Sequence, residues 1–190
     1  MCLEACKIRT EKFQAKTGKV TVYKAYQRTK GDKTISSPYY SDVKKGGQIT
    51  EPGEIISSRP HKAVAWKKNQ ITHCDKQNNN YHYGGGATIS KGIHVYLKRV
   101  DAIQEAEYNC NGFGVVVPLE ADYNDLIGVA PLDEGCNSFG MGEGSHAVFM
   151  KVRLTDAVWA KLFPQTKEEK AAKQKARRKK AKRAAKRKVK

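Results

Sequence analysis

The chain has 190 residues, and 36 Lys and Arg against 19 Asp and Glu give it a formal net charge of +17. A hydrophobic content of 39%, with nine Tyr, five Phe and two Trp, is enough to build one sizeable core and excludes a disordered body. The longest apolar runs fall far below the roughly 20 residues that a membrane-spanning helix needs, so we expect no such helix.

The positive charge is concentrated at the C-terminal end. Residues 167–190 contain 14 basic and two acidic residues, a net charge of +12. Residues 1–166 then hold 22 basic and 17 acidic residues, a net charge of only +5. A length of about 165 residues is typical of one domain. The sequence therefore predicts a globular domain over residues 1–166 and a Lys/Arg/Ala-rich basic tail over residues 167–190.

The two termini and the cysteines predict an intracellular protein. Residues 1–12 alternate charged and apolar side chains, unlike the continuous apolar segment of a secretory signal. No Gly follows Met1 and no CaaX box ends the chain, which argues against a lipid anchor. Five cysteines are an odd number, as expected for reduced thiols. We predict that the protein is not secreted and that it lies in the nucleus, or in a nucleoprotein particle or virion if it is viral.

In chain order, the first half consists of short extended segments. Residues 1–18 are polar with scattered apolar positions and end at Thr17-Gly18, which predicts a turn. Residues 19–27 are rich in β-branched and aromatic side chains, which predicts a strand. Residues 34–40 form another extended segment, and a short stretch at residues 48–50 lies between turns. Residues 61–66 fit either a strand or a helix, because six residues are too few for periodicity to decide.

The middle of the chain contains the clearest unit. Residues 75–86 hold three Asn and three Gly in succession and predict the longest surface loop. Residues 92–97 predict a strand, and residues 99–108 carry apolar side chains at helical spacing. Residues 112–121 predict a further strand that Pro118 closes.

The C-terminal part of the domain ends in a strand and a helix. Residues 135–144 contain four glycines, which predicts a loop. In residues 146–154 apolar and charged side chains alternate, which predicts one half-buried strand. A helix over residues 157–163 follows, capped by Thr155 or Asp156. This order predicts an α+β fold: a single domain with a mostly antiparallel sheet and two or three helices, followed by the tail.

The tail has the composition of a phosphate-binding segment. Residues 170–190 hold 13 cations among 21 residues and no acid. Ala, Lys, Arg and Gln favour helix, but like charges at i,i+4, such as Lys179 with Arg183, oppose it. We therefore expect the tail to be disordered or frayed alone and helical when bound. The predicted nucleic-acid-binding residues are Lys173, Lys175, Arg177, Arg178, Lys179, Lys180, Lys182, Arg183, Lys186, Arg187 and Lys188.

Nucleic acid, either DNA or RNA, is the predicted partner of the tail. A membrane-bound amphipathic helix needs Leu, Phe or Trp on one face, and residues 170–190 offer only Ala and one Val. Lys and Arg bind phosphates without an apolar face, by releasing counterions. The tail has no aromatic residue for base stacking, so we expect binding without sequence specificity. Residues 175–183 also fit a nuclear import signal, and a purely solubilising tail is a further alternative.

Motifs of catalysis and metal binding are sparse in residues 1–166. The chain contains no P-loop, no GxSxG elbow and no HExxH. His82, His94 and His146 have no partner that the sequence places beside them, so each is interpreted as a structural or surface residue. Cysteines and histidines occur without CxxC or HxxxH spacing. We predict no catalytic residue, no metal and no cofactor.

Several short blocks carry a resemblance to known proteins. They are Met1-Cys2-Leu3, Val22-Tyr23-Lys24-Ala25-Tyr26, Ser37-Pro38-Tyr39, Gly92-Ile93-His94-Val95-Tyr96-Leu97, Asp101-Ala102 and Glu105-Ala106. Together these blocks, which cover most of residues 1–110, resemble a group of uncharacterised small proteins of phages, large DNA viruses and some bacteria. The later blocks are also similar to the glycine–strand–helix unit of ADP-ribosyltransferase-like folds.

The second resemblance implies an NAD-binding fold. In that superfamily a His or Arg of the first strand and a late Glu bind and orient NAD. Residues 23–26 fall where the first-strand group would be, and they include neither His nor Arg. The resemblance puts Tyr96 at the aromatic position of the second strand and Glu143 at the late acid.

These observations favour a non-enzymatic, nucleic-acid-associated protein, for example a virion or nucleoprotein structural or accessory protein. Its tail is expected to bind the phosphate backbone while the body contacts a protein partner and no membrane. The alternative is a NAD-dependent ADP-ribosyltransferase-like enzyme that uses residues 1–166.

Overall fold

We analysed a computed structural model of the chain. The structure describes residues 3–28, 33–37, 47–57, 64–75, 80–110, 114–130, 133–134 and 145–166, and two isolated helical positions, 171 and 175. The helices of this part are α1 (Lys7–Gln14), α2 (Arg99–Asn109) and α3 (Asp156–Leu162), and a short 3-10 helix spans Tyr123–Asp125. None of the helices in the described ranges is long and apolar enough to cross a membrane.

The same residues form thirteen strands. These are β1 (Leu3–Cys6), β2 (Lys19–Arg28), β3 (Ile35–Ser36), β4 (Gln48–Ile49), β5 (Gly53–Ile56), β6 (Lys67–Asp75), β7 (Asn80–Ile89), β8 (Ile93–Tyr96), β9 (Gly114–Asp122), β10 (Leu126–Val129), β11 (Asp133–Glu134), β12 (His146–Phe149) and β13 (Lys151–Leu154). A four-stranded sheet has the order β1-β7-β6-β11, with β11 parallel to β6. The larger sheet is antiparallel and has the order β10-β12-β8-β2-β9-β13-β5, with β3 on β2 and β4 on β3.

The larger sheet curls back on itself. Strands β12 and β13 are separated by β8, β2 and β9 in the order of the sheet, yet only Met150 links them along the chain. One linking residue spans at most about 7 Å between the flanking Cα atoms, so the two strands must meet end to end. The main core lies inside this curl, where Val22, Tyr26, Val95 and Phe149 are all buried together.

The outer face of the curled sheet is covered as well. Helix α2 packs on β2, β8 and β9, and its Ala106 lies in a small apolar cluster with Ala25 of β2. Next to this helix the four-stranded sheet contributes Ala5 and Ile89 to a second cluster, which contains Val148 of β12. Alternate residues of β8 therefore face two different buried environments, the inner core and the covered outer face.

Helix α1 protects the edge strand β10. Val129 of this strand donates its backbone N–H to Oγ1 of Thr10 at 3.0 Å. Arg9 donates through Nη1 to the carbonyl of Ala130 at 2.6 Å, and Gln14 donates through Nε2 to the carbonyl of Leu126 at 3.0 Å. Side chains of α1 thus satisfy backbone groups that a bare edge would leave open to another strand.

We expect the substitution Thr10→Val to lower the free energy of unfolding by about 1–3 kcal/mol, because it leaves the buried N–H of Val129 without an acceptor. Urea denaturation of the purified protein measures the change. Thr17→Val makes the same chemical change at an exposed position and should fall within about 0.5 kcal/mol of the parent. Equal losses in the two variants would contradict this role of Thr10.

The α+β class is confirmed, and so are the elements with the strongest local patterns. The strand predicted over residues 19–27 is β2, and the helix predicted over residues 99–108 is α2. The predicted cap of the last helix is Thr155, whose Oγ1 accepts from the N–H of Val158 at 3.3 Å.

Three predictions were wrong. Residues 80–86 belong to β7 rather than to a loop, because β6 and β1 pair with them on either side. The strand at Pro118 continues to Asp122, and the stretch 146–154 is two strands that break at Met150. Residues 1–18, for which no helix or strand was predicted, contain β1 and α1, whose apolar positions are too few to show a period. The predicted loop at residues 135–144 lies outside the described residues.

Candidate functional site

The predicted nucleic-acid-binding residues lie almost entirely outside the described part of the chain. Of the eleven, only Lys175 is described, as an exposed residue at a helical position. The other ten lie in the ranges 172–174 and 176–190, and so does most of the predicted tail. The binding site in the tail therefore stays a prediction.

A different set of polar side chains meets beneath helix α2. We call it the histidine cluster, and its members are His94, Tyr96, Asp101, Glu105, Ser145 and His146. Strands β8 and β12 pair His146 with Tyr96 and Val148 with His94. Because alternate residues share a face, both histidines and Tyr96 project from the outer face of the curled sheet.

The three rings of the cluster are in contact. Tyr96 and His146 stack with their ring centroids 4.5 Å apart and their planes 8° from parallel. His94 meets His146 edge to face, with a centroid distance of 5.9 Å and an interplanar angle of 70°. Tyr96 thereby fixes the orientation of the His146 ring.

Helix α2 closes the cluster with two carboxylates one turn apart. The hydroxyl of Tyr96 donates to Oε2 of Glu105 at 3.1 Å, and the hydroxyl of Ser145 donates to Oδ2 of Asp101. Both acidic residues are buried, with 2% of Glu105 and 8% of Asp101 exposed. Positions i and i+4 lie on one face of a helix, so the spacing directs both carboxylates onto the sheet.

Both histidines are neutral at physiological pH. Burial, followed by the positive charge of Lys24, lowers the pKa of His94 to about 4. Burial is also the main cause that lowers the pKa of His146 to about 3, followed by its proximity to His94 and then to Lys24. Lys24 projects into the inner core, where its Nζ donates to the carbonyl oxygen of His94 at 2.9 Å.

Three ring nitrogens of these histidines have no hydrogen-bond partner within the described part of the protein. They are Nδ1 and Nε2 of His94 and Nε2 of His146. Each of these atoms is shielded from solvent, and His94 as a whole is 2% exposed. A buried polar group without a hydrogen-bond partner destabilises the folded state by about 1–3 kcal/mol. The three ring nitrogens therefore destabilise the protein unless another group or a water molecule binds to them.

Sequence reasoning missed this cluster for a physical reason. His94 and His146 are separated by 51 intervening residues, and only the register of β8 against β12 brings them together. Tyr96, the aromatic residue singled out by the resemblance, is buried under Glu105 and stacked on His146. Glu143 lies outside the described residues.

A second polar region lies on the surface along β13 and β9. Lys151 contacts Glu54 at 3.7 Å and Asp125 at 3.8 Å, and Lys19 contacts Glu120 at 3.3 Å. These pairs of opposite charge lie near the surface, where such pairs contribute little. The groove that they line holds three cations, Lys19, Lys151 and Arg153, and four carboxylates, Glu54, Glu120, Asp122 and Asp125, so it has only one excess negative charge with which to select an ionic ligand.

Comparisons with known proteins assign no family to the chain. No protein-family model, no curated protein and no solved structure matches it. The resemblances to the phage and viral group and to ADP-ribosyltransferase-like folds stay predictions.

Proposed function

We propose that this protein binds the phosphate backbone of DNA or RNA through residues 167–190, without sequence specificity and without catalysing a reaction. The observation that carries the proposal is the block of 14 basic and two acidic residues in this segment. Each cation that contacts a phosphate releases a condensed counterion, which drives binding to any sequence. The body then acts as an accessory or structural part of a nucleoprotein complex.

The composition of the segment favours nucleic acid over a membrane surface. An interfacial helix inserts large apolar side chains between lipids, whereas residues 170–190 hold six Ala and one Val besides their cations and Gln174. The remainder of the chain has a net charge of +5 over 166 residues, so the tail provides most of the attraction.

Helix α3 and residues 163–166 precede the predicted tail in the sequence. Thr155 caps this helix, and at its other end Phe163 is 5% exposed and lies 4.5 Å from the ring of Trp159. The guanidinium of Arg28 lies 5.0 Å from the centroid of the Phe163 ring. The residues that make these contacts lie outside residues 167–190, so substitutions in the tail do not change them.

The test is a comparison of binding against salt concentration. In one variant the eleven predicted phosphate contacts, Lys173, Lys175, Arg177, Arg178, Lys179, Lys180, Lys182, Arg183, Lys186, Arg187 and Lys188, are replaced by Gln in the full chain. For the parent we expect the slope of log K against log salt to approach about −10, because each engaged cation contributes about −0.9. The variant should lose most of that slope and bind at least about 100-fold more weakly at low salt. Fluorescence anisotropy with labelled duplex DNA, duplex RNA and single strands measures both quantities.

A matched control keeps the tail and removes charge from the body. Lys12, Lys16 and Lys161 are exposed, and their replacement by Gln should reduce the slope by at most about 3. A parent protein with a shallow slope, or a tail variant that binds as the parent does, would refute the proposal. Preference for anionic vesicles over nucleic acid at equal salt would point to a membrane surface instead.

A further inference from the structure

We propose that Trp159, with Arg28 beside it, forms a stacking site for one base of single-stranded DNA or RNA. The inference deepens the proposed function and rests on it, because the tail supplies most of the attraction to the strand. The observation that carries it is a half-buried tryptophan and an exposed arginine that meet at the ring of Phe163, shortly before the tail in the sequence.

Helix α3 brings these side chains together at one end of the curled sheet. Strands β2 and β13 are both antiparallel to β9, so they run in the same direction. Arg28 is the last residue of β2, and α3 begins two residues after β13 ends. Val158 and Leu162 of the helix pack against the main core. The helix therefore covers this end of the sheet beside Arg28.

Part of the Trp159 side chain is open to solvent. Trp159 is half-buried, whereas Phe163, one helical turn later, is 5% exposed. The two ring centroids are 4.5 Å apart and the ring planes are 51° from parallel, so Phe163 supports the indole from the core side. Every base has a π-face, so an accessible indole can stack with any base. Stacking therefore agrees with binding that has no sequence specificity.

Arg28 supplies a phosphate contact next to the ring. It is exposed, and its guanidinium lies 5.0 Å from the centroid of Phe163. No hydrogen bond or ion pair engages this guanidinium within the part of the chain that the structure describes. A planar guanidinium can rest on an aromatic ring and still donate hydrogen bonds to a phosphate. Arg28 can therefore bind the phosphate that flanks a base stacked on Trp159.

Charge and chain length favour a nucleic-acid strand as the occupant. Helix α3 has one acid and one cation, Asp156 and Lys161, and therefore no net charge. The tail, with a net charge of +12, begins four residues after Phe163, so Lys167 lies at most about 14 Å from it. A strand bound by the tail is thus held close to the Trp159 ring, which raises its local concentration there.

The site selects single strands over duplexes. In a duplex each base is stacked between its neighbours, and taking it out of the stack costs free energy. A single strand presents its bases without that cost. The tail has no aromatic residue, so any stacking must come from the body.

The test uses the full-length chain with two labelled strands of equal length and charge, an oligothymidine and an abasic strand. The parent should bind the oligothymidine about 5- to 150-fold more tightly, because only this strand has a base to stack. Trp159→Leu keeps an apolar side chain and should bind both strands equally. Arg28→Gln should bind both strands more weakly and reduce the salt slope by about 0.7. Fluorescence anisotropy measures these affinities.

Trp66→Leu is the matched control. Trp66 is the second tryptophan of the chain and packs against the cluster that contains Ala5 and Ile89. This variant should keep the preference for the oligothymidine. It also leaves Trp159 as the only tryptophan, whose fluorescence the oligothymidine should quench and the abasic strand should not. This measurement decides the matter if Trp159→Leu fails to fold.

The possible failures of the two proposals are distinguishable. A parent that binds both strands alike, with a steep salt slope, would overturn the stacking site and leave binding by the tail intact. Equal loss of the preference in Trp66→Leu and Trp159→Leu would also overturn the site. Stronger quenching of Trp159 by polyglutamate than by the oligothymidine would overturn it in favour of an acidic protein partner. No binding of the parent to either strand would refute both proposals.

Discussion

The substitution Gly92→Ala should lower the free energy of unfolding by about 2–5 kcal/mol. Gly92 has φ of 118°, a conformation that costs a residue with a Cβ about 1–2 kcal/mol. A Cβ at this position would also collide with Cγ1 of Val148 and lie 2.8 Å from Cδ1 of Ile127. Forcing an extra carbon into a packed core adds about 1–3 kcal/mol. Domains of this size are stable by only about 5–15 kcal/mol, so the loss is a large part of the total.

Gly18→Ala separates the two causes. Gly18 has φ of 90° and no atom within 4 Å of the position that a Cβ would take. This variant should therefore lose only the backbone part, about 1–2 kcal/mol. Urea denaturation followed by circular dichroism measures both variants. Similar losses for Gly92→Ala and Gly18→Ala would show that close packing against β12 is not what requires glycine before β8.

Acidification of the protein should reduce its stability well above the pH at which carboxyl groups take up protons. A histidine has a pKa of about 6.5 in the unfolded chain, and burial lowers it to about 4 for His94 and to about 3 for His146. The unfolded state then binds more protons between these values, so stability is complete above about pH 6.5 and falls as the pH decreases. Between pH 7 and pH 5 the two residues together should remove about 3–4 kcal/mol.

The slope of stability against pH is the quantity that distinguishes the histidines from other groups. The free energy of unfolding is measured by urea titration at several pH values. His146→Gln should remove about half of the decrease between pH 7 and pH 5, because Gln does not take up a proton in this range. A parent whose stability is constant from pH 7 to pH 5 would contradict the burial of two neutral imidazoles.

The tail and the histidine cluster are independent parts of the same molecule. The tail owes its expected affinity to charge density, and its loss should leave the contact between Trp159 and Phe163 unchanged. The cluster owes its properties to burial between β8, β12 and α2, and it lies apart from any run of basic residues in the sequence. Separate variants therefore test the predictions for the tail and for the cluster, and failure of one does not affect the other.

How much of this protein was predictable from its sequence depended on the range of the interactions involved. Local patterns were enough for β2, for β8 and for α2, because β-branched residues and helical spacing act within a few positions. The predicted division into a domain and a basic tail came from composition and charge alone, and it stays a prediction.

The tertiary structure decided what the local patterns left open. Residues 80–86 form a strand because β6 and β1 provide partners for their backbone groups, even though their Asn and Gly content favours a loop. The break at Met150 follows from the curl of the larger sheet, which places β12 and β13 beside different neighbours. His94 and His146 meet only through the register of two strands far apart in the chain, and periodicity carries no information about register between distant segments. The charged tail could therefore be recognised from composition, whereas the buried pair of histidines required the paired strands.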